Sequence, residues 1–139
     1  MGTYEILDHT ADLRLKITGE NRDDLFHTAF NGLKALTEID KAITLDGEFD
    51  EVLEVNGDDG EELLIRFLNE LIAIIQDKKI LPLKILSLNL TQSTLHCSIT
   101  AKRIGEFPDG YVEIKAATYH MLKIDHLDNK LIVSVVFDI

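Results

Sequence analysis

With 139 residues, 45% of them hydrophobic and 28% charged, the chain has the make-up of a single soluble domain spanning residues 1–139. Its formal net charge of −11 argues against direct nucleic-acid binding, which needs Lys and Arg to neutralise phosphates, and favours basic proteins or cations as partners. A lone cysteine, Cys97, excludes an internal disulfide and a thiolate cluster, no run approaches the ~20 apolar residues of a membrane span, and Met1–Glu5 carries no secretory signature, so a cytoplasmic protein is expected.

The first two strands are expected over Thr3–Leu7 and Leu13–Thr18, with Asp8-His9-Thr10-Ala11-Asp12 between them. In the second, Leu13, Leu15 and Ile17 alternate with Arg14, Lys16 and Thr18, which predicts one buried and one wet face. Asn21 suits a helix N-cap and Asp23 and Asp24 suit the positive end of the helix dipole. The helix should run to about Thr37, with Leu25, Phe26, Ala29, Phe30, Leu33 and Leu36 facing a sheet. Ile43–Val55 reads as one or two strands, with Asp46-Gly47-Glu48 as a turn or bulge.

Asn56-Gly57-Asp58-Asp59-Gly60 breaks the chain and starts a second helix, with Glu61 and Glu62 in its first turn and Lys78-Lys79 in its last. Its apolar residues cover more than one stripe, which marks it as the central helix, and Pro82 prevents its continuation. Beyond it the pattern is β. A hairpin is expected over Ile85–Leu90 and Leu95–Ala101, turning at Thr91–Thr94. Gly105–Gly110 reads as a loop, followed by strands at Tyr111–Ile114, Thr118–Asp125 and Leu131–Phe137, with a turn at Leu127–Asn129. The order predicts an α+β fold, two helices packed on antiparallel β-sheets.

Asp12 opens the second strand and Asp138 closes the last. If those strands are neighbours, Asp12, Asp138 and the terminal carboxylate of Ile139 gather hard oxygen ligands suited to Ca2+ or Mg2+; spacing alone does not bring them together. The other candidates are weaker. Cys97 lies on an apolar strand face and reads as core. The five histidines show no paired metal-ligand spacing, although His9 beside Asp8 and His120 beside Thr118 sit in polar clusters. Asn56–Glu62 fails the register of a calcium-binding loop and is explained by a turn and a helix cap. Lys115 precedes the small pair Ala116-Ala117, which permits close backbone approach, and lies near Thr118, Tyr119 and His120. No glycine-rich phosphate loop, nucleophile elbow or Cys/His pair is present in the sequence, which favours a metal-dependent effector of another protein over an enzyme.

Three blocks, Leu7-Asp8-His9-Thr10-Ala11-Asp12, Lys115-Ala116-Ala117-Thr118-Tyr119-His120 and Val135-Val136-Phe137-Asp138-Ile139, together resemble the archease family. Glu62-Leu63-Leu64 and Phe67-Leu68-Asn69-Glu70-Leu71 are similar to the family's second helix. The resemblance implies a non-catalytic protein cofactor of the GTP-dependent RNA ligase that joins tRNA exons, promoting guanylylation of the ligase histidine and repeated turnover. An alternative it implies is a chaperone-like modulator of a tRNA cytosine methyltransferase. The family's metal site, for Ca2+ with Mg2+ or Mn2+ as alternatives, falls on Asp12, Asp138 and the terminal carboxylate of Ile139. Lys115 matches a functionally important family lysine, and Asp8, His9, Thr118 and His120 are expected to orient the site or face the partner. Two positions depart from the family pattern: Leu13-Arg14 stands where a small or apolar pair including Gly is common, and Phe67 replaces a common Trp.

Overall fold

The computed structural model describes residues 1–8 and 12–139, apart from the side chain of Asp8. These residues form eight strands and two helices in two antiparallel sheets, the α+β arrangement expected from the sequence. The larger sheet has the order β1 (Thr3–Asp8), β2 (Asp12–Gly19), β8 (Lys130–Asp138), β6 (Ala116–Thr118), with the short β7 (Asp125–Leu127) also pairing to β8. The smaller one has the order β3 (Ile43–Asn56), β5 (Thr94–Glu106), β4 (Ile80–Leu90).

Helix α1 (Arg22–Thr37) packs on β1, β2 and β8, and α2 (Gly60–Gln76) packs on the smaller sheet and on β6. Both start as the sequence predicts. Asn21 Oδ1 accepts from the Asp24 amide, and Asp59 Oδ1 from the Glu62 amide, each at 2.8 Å. The core lies between the sheets and the helices and includes Phe26 and Phe67, whose ring centroids are 5.9 Å apart. Gly32 lets α1 sit close to β2, since a Cβ there would come within 2.8 Å of the Leu15 side chain.

The elements depart from expectation in four places. Helix α2 ends at Gln76, so Lys78 and Lys79 lie beyond its last turn and do not complement its dipole. Strand β4 starts at Ile80 and includes Pro82; as an edge strand it tolerates a residue without an N–H. Tyr111–Ile114 is not a strand despite its alternation, because its backbone bonds go elsewhere: the Val112 amide donates to the Thr37 carbonyl and the Ile114 amide to Gln76 Oε1. The expected strand over Thr118–Asp125 is instead two short ones, β6 and β7, separated by a turn at His120-Met121. The turn before β8 falls on Asp128-Asn129, both at positive φ (52° and 63°), which matches the twist of a two-residue hairpin.

Candidate metal centre

The site is built by the two central strands of the larger sheet. β2 and β8 pair antiparallel with Asp12 opposite Asp138, Leu13 opposite Phe137 and Leu15 opposite Val135. Leu15, Phe137 and Val135 are fully buried, so the pleat turns the residues that alternate with this set, Asp12 and Asp138 at its end included, to the other face. Directly opposed residues in such a pair have Cα atoms about 4.5–5.5 Å apart. Two carboxylates that are 126 positions apart in the chain therefore share one end of one sheet face, with Ile139 immediately following.

Asp12 is half-buried, and its Oδ1 is shielded from solvent with no hydrogen-bond partner among the described residues. A shielded, unpaired carboxylate oxygen is costly, because folding strips its water and supplies nothing in return. A divalent cation would supply that missing partner, and carboxylate oxygens are the donors that Ca2+, Mg2+ and Mn2+ prefer. The residues present thus fit such an ion. Among the described residues no three His, Cys, Asp or Glu side chains gather in one place.

The remaining predicted residues arrange themselves around this strand end. Ala116 pairs with Asp138, and the Lys115 amide donates to the Asp138 carbonyl at 2.8 Å, which fixes the backbone of Lys115 beside the carboxylates. The Lys115 side chain is exposed. Thr118 Oγ1 donates to the Val136 carbonyl at 2.9 Å and accepts from the His120 amide at 3.3 Å, so it ties the following turn to β8. His120 is exposed in that turn, farther along β8 from Asp138. His9 and the side chain of Asp8 lie outside the described residues.

The fold brings into play three residues that sequence reasoning did not assign to the site. Arg14 stands two positions along the same face from Asp12, and its Nε is likewise shielded and without a partner among the described residues. Asn69 and Gln76 of α2 hold the segment that carries Lys115 (below). Their signal was present as polar residues seven apart within an otherwise apolar helix stripe, where they share a face. Tyr111, whose hydroxyl donates to Gln76 Oε1 at 2.9 Å, is pushed up to about 12, first by burial and then by the nearby Glu113 carboxylate.

Comparison with known families bears on the same residues. The model of the "Archease protein family (MTH1598/TM1083)" matches residues 4–139. The chain belongs to the archease family. A protein archease from Methanosarcina barkeri is 30% identical over 141 residues, covering 98% of this chain and 95% of that protein. An archease-like protein from Drosophila melanogaster is 31% identical over 127 residues, covering 87% and 79%. Among solved structures, the crystal structure of an archease from Thermotoga maritima, described as a possible chaperone, superposes with a TM-score of 0.66 at 25% identity, covering 97% of this chain and 96% of that one. The solution structure of protein 1598 from Methanobacterium thermoautotrophicum gives 0.67 at 26% identity, covering 98% of each. The family match spans nearly the whole of this archease, and both carboxylate positions fall within it. No helix among its described residues is long and apolar enough to cross a membrane.

Proposed function

We propose that this archease is a non-catalytic activator of a GTP-dependent tRNA-splicing RNA ligase, acting through a divalent cation held at the β2–β8 strand end. The observation that carries the reading is the pairing of Asp12 with Asp138, with an Asp12 oxygen that is shielded and unpartnered among the described residues. Asp12, Asp138 and the terminal carboxylate of Ile139 would hold the ion, and water would complete its oxygen shell. When bound, the ion neutralises the clustered carboxylates and offers a centre of positive charge to phosphate oxygens.

The chain's own residues set up the rest. The β2–β8 register fixes the backbone positions that carry the two Asp side chains before any partner arrives, which lowers the ordering left for binding. The Lys115 amide, bonded to the Asp138 carbonyl, keeps an exposed cation next to that centre. The net charge of −11 favours a partner that is itself basic in order to hold RNA. Arg14 and Lys115 then lie close to where a ligase nucleotide or RNA phosphate would approach, and the activator supplies charge and position without a nucleophile of its own.

The test is multiple-turnover RNA joining by the ligase with GTP and divalent metal. It compares no activator, this protein, and folded Asp12→Ala and Asp138→Ala variants. Stimulation by the parent that is lost in both variants supports the reading. Stimulation that survives both removes the metal from it. No stimulation by the parent refutes the ligase role and turns attention to the methyltransferase partner.

A further inference from the structure

Helix α2 contributes no candidate ligand, yet two of its side-chain amides grip the segment that carries Lys115. Asn69 and Ala117 exchange both of their hydrogen bonds: the Ala117 amide donates to Asn69 Oδ1 at 2.8 Å, and Asn69 Nδ2 donates to the Ala117 carbonyl at 3.2 Å. This is the double bond that a neighbouring strand residue would make with Ala117. Asn69 therefore stands where a further strand would pair with β6. Two turns later along the helix, Gln76 Oε1 accepts from the Ile114 amide at 3.1 Å and from the Tyr111 hydroxyl at 2.9 Å.

The lengths match. Seven helical residues rise about 10.5 Å, and the three steps from Ile114 to Ala117 span about 10 Å in extended chain. The segment thus runs straight along α2, antiparallel to it, with Ile114 and Ala117 pinned and only Lys115 and Ala116 between the pins. Ile114 and Ala117 are buried, whereas Lys115 is exposed. On its other side the same stretch is tied to β8, by Ala116 pairing with Asp138 and by the Lys115 amide on the Asp138 carbonyl.

We propose that Asn69 is a positioning residue of the metal centre, with Gln76 as its second anchor. Together they press the Lys115–Ala117 backbone against the end of β8, and so fix Asp138 and Lys115 relative to each other. The inference rests on the metal reading given above. The short length of β6 makes the device necessary: three residues supply few ladder bonds of their own, and the Asn69 amide replaces the missing neighbour. Asn69 is only half-buried and also lines a surface groove of about 380 Å3 with Glu54, Asn56 and Arg66. Its bonds to Ala117 therefore hold in competition with water, and the position has a role beyond filling the core.

Two measurements test this. The first is amide hydrogen exchange on the unaltered protein, in EDTA and with Mn2+ or Ca2+. The Ala117 and Lys115 amides should be protected in both, and more so with metal. Exchange of the Ala117 amide at the free-peptide rate overturns the proposal with no variant needed. The second is calorimetric titration with the same metals of the parent, Asn69→Ala, Asn69→Asp and Arg66→Ala. Arg66→Ala removes a neighbouring groove residue whose ion pair is with Glu62 and serves as the control.

Asn69→Ala should weaken metal binding about 10-fold or more, the usual effect of losing an outer support of a ligand. Asn69→Asp, which keeps the acceptor for the Ala117 amide, should fall between, and Arg66→Ala should match the parent. Equal affinity in parent and Asn69→Ala overturns the positioning role, as does an equal loss in Arg66→Ala. A parent that binds no metal refutes the metal reading itself, which separates the two failures.

Discussion

Replacing Asp12 by Asn should stabilise the protein without metal and leave it less stable than the parent with metal. The exchange keeps the shape of the side chain and removes its charge. Without metal, the parent holds a shielded carboxylate oxygen, unpartnered among the described residues, on a residue that pairs with a second aspartate. Leaving such a group unpaired costs about 1–3 kcal/mol when fully buried, and opposed like charges add about 0.2–1 kcal/mol. Asp12 is only half-buried and the amide oxygen still lacks a partner, so the net relief should be roughly 1 kcal/mol, or about 3 °C in a chain of this size. With metal at a hundred times its dissociation constant, the parent gains about 2.7 kcal/mol, or about 8 °C, and the variant gains nothing. Thermal melts in EDTA and with Ca2+, Mg2+ or Mn2+ read both effects. The variant should melt above the parent in EDTA and below it with metal. If Asn lowers the metal-free melting temperature, or if metal raises both proteins equally, the account of the Asp12 oxygen is wrong.

Other consequences follow from the core and the caps. Burial raises the Cys97 thiol from 9.0 to about 11, so the folded state keeps a proton that the unfolded chain begins to lose near pH 9. Its contribution is whole below pH 9 and lost by about pH 11, a decline of about 2–3 kcal/mol in urea titrations, and Cys97→Ala should flatten that part of the profile. Tyr111, raised from 10.0 to about 12, should extend the loss to higher pH. Phe67→Ala should cost about 3–5 kcal/mol, measured by the same titrations, since the ring is fully buried against Phe26. Asp59→Ala should cost about 1 kcal/mol by removing the α2 cap, and a loss under 0.3 kcal/mol would show that the cap bond is not made in solution.

How much of this could be read from the sequence depended on whether the deciding interaction was local. Helix starts were legible because a cap is settled within four residues, as at Asn21 and Asp59. The hairpin between β4 and β5 was legible for the same reason. Tyr111–Ile114 was misread because Val112 and Ile114 alternate as a strand does, while their backbone partners belong to two different helices. Pro82 was read as a helix stop and sits in an edge strand, a distinction that only sheet order reveals. Asp12 and Asp138 could be named from the sequence, but their meeting could not, because it requires β8 to insert beside β2 rather than at an edge. Asn69 showed in the sequence only as a polar break in an apolar helix stripe, and its role was not legible because its partner is a backbone 48 positions away.

The two carboxylates do not choose their own register. Left to themselves they repel, and a slip of one residue along β8 would separate them while turning Asp138 to the inner face and Phe137 to the outer. That slip is forbidden by packing. Leu15, Ile17, Val133, Val135 and Phe137 are all buried on the inner face of this pair, and at about 1.5–3 kcal/mol each they contribute roughly 8–15 kcal/mol to holding it. Opposed like charges cost at most about 1 kcal/mol, an order of magnitude less. The alternation of apolar residues in β2 and β8 therefore fixes the placement of Asp12 and Asp138, so the cation proposed above would relieve the repulsion without having to organise the site.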